Sequence, residues 1–351
     1  MRVGRAGRPT LLSGLGFAEA SPVTVTSIAR RPCLPWRPFP WHSARSQLPF
    51  LPQPQSLRNE VRPIPEVRPI LIAAAALLVF GAAPHAAASD FDTEHLFGFT
   101  EGSDIGEKGE RELELEFEGR GAKRHGSYRA LSQATALKLT LTDNFRIAPA
   151  IAFDHYHIRG VPGLADRSSA TLSEIAFEMK YRVLDRETGP FGLTLAATPF
   201  WGHVDTASGE PENAYGVSLR ALADKELVAD RLFGALNLGY GIANSRSRAG
   251  RVWERSSDLA ISAAVTGRVS ESVFLGIETR YERAHEDLTV GRLAGWALFV
   301  GPTLYARLGN TAFLSVAWNA QVAGHTSGED FRLDLDNFER NQVMVRFGIA
   351  F

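Results

Sequence analysis

Few residues are placed to do chemistry. Phe153-Asp154-His155-Tyr156-His157 sets two imidazoles two positions apart, a spacing that sends both side chains to one face of an extended chain. Such a pair can ligate a metal or meet a lipid headgroup. No third ligand can be named, so the histidines read as interfacial, and no metal and no cofactor are expected. Cys33 is the only cysteine, and Gly239-Tyr240-Gly241 precedes no helical pattern that would make it a phosphate loop. No catalytic residue is expected. The strongest pattern is Arg111-Glu-Leu-Glu-Leu-Glu-Phe-Glu-Gly119. It places Glu112, Glu114, Glu116 and Glu118 on one side and Leu113, Leu115 and Phe117 on the other. A ladder of like charges inside a pore would favour cations. Paired across strands, it would instead brace the wall of a barrel with little bore.

Strands must position these groups, because from Arg111 to Phe351 the apolar residues recur with a period of two and not of 3.6. Twelve segments carry the alternation: 111–119, 130–141, 145–158, 170–183, 191–202, 214–225, 231–243, 255–269, 273–283, 294–308, 311–322 and 341–351. Their connections alternate between short ones, such as Thr142-Asp143-Asn144 and Gly309-Asn310, and longer polar ones, such as 159–169 and 323–340. Short turns on one rim and long loops on the other predict an all-β fold, a single closed antiparallel transmembrane barrel of about twelve strands with periplasmic turns and extracellular loops. Closure leaves no edge to pair, so a monomer is expected.

The two faces differ as a membrane barrel requires. One parity carries Ile147, Ile151, Phe177, Leu195, Leu236, Leu238 and their equivalents without a charge; a charge at mid-bilayer would cost about 2–4 kcal/mol. On it, Trp201, Tyr215, Tyr240, Tyr281, Trp296 and Trp318 gather toward the long loops and Phe145, Tyr181 and Phe191 toward the short turns, as two aromatic girdles. The other parity is charged, and its predicted lumen residues are Glu112, Glu114, Glu116, Glu118, Lys138, Arg146, Glu174, Glu178, Lys180, Arg182, Arg220, Asp258, Arg268, Glu278, Arg280, Arg307 and Arg346. A secreted β-sandwich or lipocalin-like barrel also alternates, but it would hide the apolar parity inside.

The chain before these strands is a different text. Eleven of the 19 prolines precede residue 67, and residues 1–60 read as a non-native or disordered Arg/Pro-rich leader. Residues 61–88 read as a signal peptide: Arg62 and Arg68, an apolar core from Ile70 to Phe80, and a small-residue exit at Ala86 and Ala88, with cleavage after Ala88. A short membrane anchor is the alternative. Residues 89–110 then read as a periplasmic segment before the barrel at 111–351. From Ser89 on lie 36 of the 39 acids but only 28 of the 38 bases, an acidic balance that argues against nucleic acid as a partner.

The end of the chain, Asn341-Gln342-Val343-Met344-Val345-Arg346-Phe347-Gly348-Ile349-Ala350-Phe351, resembles the C-terminal signature of outer-membrane proteins. Val343, Val345, Phe347, Ile349 and Phe351 would carry its recognition by the barrel-assembly machinery. The stretch from Phe97 to Glu112 resembles the opening of uncharacterised proteobacterial outer-membrane barrels. From Leu96 to Phe351 the pattern looks more loosely like the transporter-like family linked to aromatic-compound (phenol meta-pathway) degradation. The resemblance implies a Gram-negative outer-membrane barrel and hints at transport; the role expected is passive diffusion of small solutes, with a cation preference if the glutamate ladder lines the pore. The alternatives are a narrow, charge-plugged structural or adhesion barrel acting through its loops, and a lipid-modifying enzyme. The third is disfavoured because the His-x-Ser-Asn stretch of outer-membrane phospholipase A has no counterpart here. The basic runs Gly119–Gly126 and Ser245–Arg255, with Arg246, Arg248, Arg251 and Arg255, could dock lipopolysaccharide phosphates. The last loop, with Phe331, Leu333, Leu335 and Phe338, could fold inward.

Overall fold

The computed structural model describes residues 92–248 and 252–351. The expected leader, the signal peptide with its exit at Ala88, and Arg251 lie outside the described residues. The strands are β1 (Arg111–Gly121), β2 (Ser127–Thr142), β3 (Phe145–Arg159), β4 (Arg167–Leu184), β5 (Gly192–Val204), β6 (Pro211–Val228), β7 (Leu232–Ser247), β8 (Glu254–Arg268), β9 (Val273–His285), β10 (Leu293–Leu308), β11 (Ala312–Thr326) and β12 (Asn341–Ala350). They form one closed sheet in chain order, with β1 beside β12. Every neighbouring pair is antiparallel, and the closing register sets Glu116 opposite Arg346 and Phe117 opposite Val345. The strands outrun their apolar alternation at the long-loop rim, as at β2, β4 and β6, because backbone pairing continues past the residues a bilayer would touch.

The apolar parity faces out. Leu113, Phe177 and Leu238 are 38%, 39% and 50% exposed, which a sandwich or lipocalin-like barrel with a greasy centre would forbid. Alternation fails at the bulges, where one extra residue turns the rest of a strand over. Between Leu298 and Phe299 the register of β10 against β11 shifts, with Val322 as the extra residue of β11, and the buried parity of β11 passes from Gln321 to Gly324. A shift between Ala152 and Phe153 in β3 against β4 brings Ser173 inward to donate to Asp154 at 3.0 Å.

The largest departure from the sequence reading precedes β1. Residues 93–105 of the segment expected to lie in the periplasm fold back into the lumen: from Thr93 to Ser103 nearly every residue is buried. It enters at the short-turn end, where Gly109 N–H donates to the Thr140 carbonyl at 2.9 Å, and rises to Phe99, whose ring lies 3.9 Å from the Arg280 guanidinium. We call residues 93–105 the stopper. At its tip Gly98 has φ +88°, and a Cβ there would sit 2.7 Å from Thr303 Cγ2, so the turn needs a residue without a side chain.

Leu238→Arg, on the outward parity near the middle of β7, should destabilise the folded barrel by about 2–4 kcal/mol in urea titrations in lipid vesicles. An unchanged unfolding midpoint would contradict the outward assignment of that face.

Candidate functional site

The stopper is irregular backbone enclosed in a barrel, so its N–H and C=O groups must find partners inside. Its two limbs lie against each other: Gly102 N–H donates to the Glu94 carbonyl at 3.1 Å, and Thr93 N–H to Asp104 Oδ2 at 2.9 Å. Wall side chains serve the rest. Asn237 accepts from Glu101 N–H at 2.7 Å and donates to its carbonyl at 2.8 Å. Glu278 accepts from the N–H of Thr100 at 2.9 Å and of Phe99 at 3.3 Å, and from Asn319 at 2.8 Å. Thr194 donates to the Ser103 carbonyl at 2.5 Å and Thr140 to that of Ile105 at 2.8 Å. Asp224 takes the amide and hydroxyl of Ser103.

The stopper has a greasy side and a charged side. Leu96 and Phe97 enter a buried cluster with Phe233, Phe274, Tyr305 and Phe313 on the β7–β11 side, worth about 1.5–3 kcal/mol for each side chain buried. Glu94 and Glu101 face the bases of β2–β6 and β12. The Arg146 guanidinium forks onto both Glu94 oxygens, and Lys180 Nζ lies 2.7 Å from Glu94 Oε1 and 2.7 Å from Glu101 Oε2. Arg220 reaches Glu101 at 2.6 Å and also holds Glu178. Lys138 meets Glu114 at 2.7 Å and Glu112 at 2.9 Å, and Arg346 Nε meets Glu116 at 2.7 Å.

His95 completes this cluster. Its ring stacks on Phe313, centroids 4.3 Å apart. Lys138 Nζ lies 2.8 Å from its Nε2 and Arg346 Nη1 3.2 Å from its Nδ1, while Glu94, Glu112 and Glu114 lie 3.3–3.5 Å from Nε2. Six carboxylates (Glu94, Glu101, Glu112, Glu114, Glu116, Glu178) face five permanent cations (Lys138, Arg146, Lys180, Arg220, Arg346), an excess of one negative charge around the His95 ring. Burial and the Lys138 ammonium pull the imidazole down, but Glu94, Glu114 and Glu112 outweigh them and it is pushed up to about 9. Burial would likewise raise the Glu94 carboxyl, yet Arg146, Lys138 and Lys180 hold it well below the usual carboxylate range. His95, Glu112 and Glu114 have the donor types of a metal site, but the Lys138 ammonium already stands among them.

Beyond the stopper lies a cavity of about 300 Å³, walled by Ala134, Ala136, Ala148, Ala150 and Ala176 and edged by Glu116, Glu178 and Arg220. Nearer the loops the lumen narrows. Tyr128, Tyr156, Ile158, Val161 and Val204 pack together, and Tyr128 donates to the Ala207 carbonyl at 2.9 Å. The last loop folds inward as its apolar residues suggested: Leu335 is buried, and Phe338 meets Phe299 edge-on at 6.3 Å.

The lumen expectations divide by height. Glu112, Glu114, Glu116, Lys138, Arg146, Glu178, Lys180, Arg220 and Arg346 converge on the cluster. Glu278 and Arg280 hold the stopper's tip. Glu118, Glu174 and Asp258 stand nearer the loops, on the lumen side of their strands. Arg182, Arg268 and Arg307 share the inward parity but sit at the short-turn rim, where Arg182 donates to the Asp143 carbonyl at 2.5 Å and Arg268 to that of Glu271 at 3.3 Å. Of the two readings of the glutamate ladder, Glu112, Glu114 and Glu116 fit the paired one, because Lys138, His95 and Arg346 take them up. Glu94, His95, Glu101, Asn237 and Asp224 were missed.

Outside the barrel, Trp201 stands directly opposite Tyr215 and Tyr281 packs on Trp296 at 5.7 Å near the loops, with Phe145 opposite Tyr181 at the turns and Phe191 just before β5. Tyr240 reaches the long loops, its hydroxyl donating to the Leu288 carbonyl at 2.5 Å, whereas Trp318 lies nearer the middle of its strand than a girdle requires. The assembly-signal residues Val343, Val345, Phe347, Ile349 and Phe351 all keep the outward parity. His155 and His157 line an outer groove of about 490 Å³ with Arg129 and Ser168. Ser168 is opposite His157, but among the described residues no hydrogen bond joins them into a nucleophile–base pair. Lys123 and Arg124, of the basic run that could dock phosphates, clasp the last loop: Lys123 pairs with Glu339 at 3.1 Å, and Arg124 lies 3.4 Å over the Phe331 ring.

Residues 89–351 match a family model described as "Family of unknown function (DUF6662)". Among solved structures, the COG4313 outer membrane channel from Pseudomonas putida F1 is similar at 14% identity, covering 71% of this chain and 98% of that one, with a TM-score of 0.48. The NanC porin is similar at 10% identity over 68% and 98%, TM-score 0.41, and the beta domain of the Bordetella autotransporter Brka at 11% over 70% and 100%, TM-score 0.46. No curated protein matches the chain.

An imidazole near its ordinary 6.5 when unfolded and near 9 when folded stabilises the protein fully below about pH 6.5, and that contribution is lost as pH rises through about 9. Imidazole NMR should find His95 charged at pH 7.5, with urea resistance falling between pH 7 and 10 in the wild type and more shallowly in His95→Gln. A neutral His95 at pH 7.5 would contradict the charge balance.

Proposed function

The chain belongs to the family of unknown function DUF6662, and on that premise we propose that it is a bacterial outer-membrane barrel for passive diffusion of small solutes, closed at rest by residues 93–105. The closed sheet and its uncharged outward parity support the membrane assignment. The expectations of a signal peptide and of insertion by the assembly machinery are parts of this reading; the family match begins at Ser89, just past the expected exit.

One observation carries the choice of passage over a purely structural barrel. The wall on the β2–β6 side is lined with alanines that leave a cavity open, while the stopper across the rest of the bore is held mainly by hydrogen bonds and ion pairs. A barrel that had only to be filled would carry bulky side chains there. Polar contacts, unlike a packed apolar core, can be exchanged for equivalent polar or ionic partners when a segment shifts. With the ladder matched, any cation preference would rest on Glu118, Glu174, Asp258 and Glu282 toward the loops, against Arg120 and Arg280. The link to aromatic-compound uptake rests on the resemblance of pattern alone.

A second reading, a structural or adhesion barrel, is favoured by the inward fold of the last loop, whose Asp334 is fully buried. Planar-bilayer recordings separate the two. Leu96→Ser with Phe97→Ser, which removes the stopper's apolar anchor, should raise mean conductance at least about tenfold over the wild type, since the two burials are worth about 3 kcal/mol or more. No conductance from a variant that still shows the heat-modifiable mobility of a folded barrel would favour the structural reading.

A further inference from the structure

The charges around the stopper are unevenly supplied by the wall. On the β1, β2 and β12 side, Glu112, Glu114 and Glu116 more than match Lys138 and Arg346. On the β3, β4 and β6 side, Arg146, Lys180 and Arg220 have one wall carboxylate between them, Glu178, which lies 3.2 Å from Arg146, 3.7 Å from Lys180 and within bonding reach of Arg220. Three cations against one anion leave a deficit of negative charge at one place in the lumen, and it is filled by two residues that do not belong to the wall, Glu94 and Glu101.

We propose that Arg146, Lys180 and Arg220 form a carboxylate-binding site of the barrel wall, occupied at rest by the stopper's Glu94 and Glu101, and that the solutes admitted are small mono- or dicarboxylates that displace the stopper by taking the same three cations. The inference rests on the reading of the barrel as a passage. The geometry is that of ligand recognition. The Arg146 fork engages both oxygens of one carboxylate, the bidentate mode that selects this group. Lys180 bridges two separate carboxylates at equal distance, as a diacid would present them. The order of approach is built in as well. The Arg220 side chain is 26% exposed and edges the cavity beyond the stopper, whereas Lys180 and Arg146 lie beneath, 1% and 3% exposed. A carboxylate arriving from the loop side meets Arg220 first. Withdrawal of the stopper into water alone would leave three enclosed cations short of partners, which is costly. Exchange of one carboxylate for another leaves none, so these solutes lower the barrier to opening where neutral sugars cannot.

The test uses the wild-type barrel in planar bilayers, with succinate added to the loop side at constant ionic strength and arabinose as the neutral control. Open probability should rise at least about tenfold with succinate and stay flat with arabinose. Glu94→Gln with Glu101→Gln should conduct without succinate and, in a salt gradient, show a reversal potential of anion preference. Arg220→Gln should lose most of the succinate response. A conducting barrel that ignores succinate, or a Glu94→Gln/Glu101→Gln barrel that prefers cations, overturns the carboxylate site while leaving passage intact. Silence of the wild type in succinate together with silence of folded Leu96→Ser/Phe97→Ser overturns passage itself, and the site with it. The succinate titration needs only the wild type, so it decides even where a charge variant fails to fold.

Discussion

Arg146 and Lys180 stand nearly sealed from water inside a ring of strands, and a cation so placed must meet a carboxylate or the fold does not hold. That requirement organises the lumen. The wall supplies Glu178, and the rest comes from a segment outside the wall, so the chain before β1 must fold back and bring Glu94 and Glu101 to them. Once it does, its backbone needs partners, and Asn237, Glu278, Asp224, Thr194 and Thr140 become intelligible as its acceptors and donors. Leu96 and Phe97 give the opposite side of the same segment an apolar seat. The stopper is therefore specified from both sides, by charge on one and by packing on the other.

How much of this was legible follows from what a period of two can encode. Alternation tells which face a residue takes, so β1–β12 and the outward position of Leu113, Phe177 and Leu238 were readable, as was the pairing of the last strand with the first. It does not tell height along the barrel axis. Arg182, Arg268 and Arg307 share a parity with Arg146 and Arg346, yet they end at the short-turn rim because they lie at the ends of their strands. Nor does it survive a bulge: in β11 the inward parity passes from Gln321 to Gly324 across the extra residue Val322.

The stopper was invisible for a different reason. Residues 93–105 alternate with no period, and their order comes from contacts to strands all round the barrel that no local pattern reports. The trace they leave lies elsewhere, in the cations of β3, β4 and β6 that exceed the carboxylates of those strands. The glutamate ladder of β1 drew attention to a surplus of negative charge, but it was matched locally by Lys138, His95 and Arg346. The imbalance that mattered was positive and on nearby strands, β3, β4 and β6.

The central claim is that residues 93–105 occupy the lumen and close it, and a thiol pair tests this most directly. Ser103 lies in the stopper and Gly192 at the start of β5, where an added Cβ would stand 3.0 Å from Ser103 Cβ, a separation that a small shift brings to the roughly 3.5–4.5 Å of a disulfide. Cys33, the one native cysteine, falls in the upstream leader. Oxidation of the barrel carrying Ser103→Cys and Gly192→Cys should form the cross-link nearly completely and abolish solute-induced conductance until a reductant restores it. Two thiols that stay free and react with a bulky, membrane-impermeant maleimide would contradict the account.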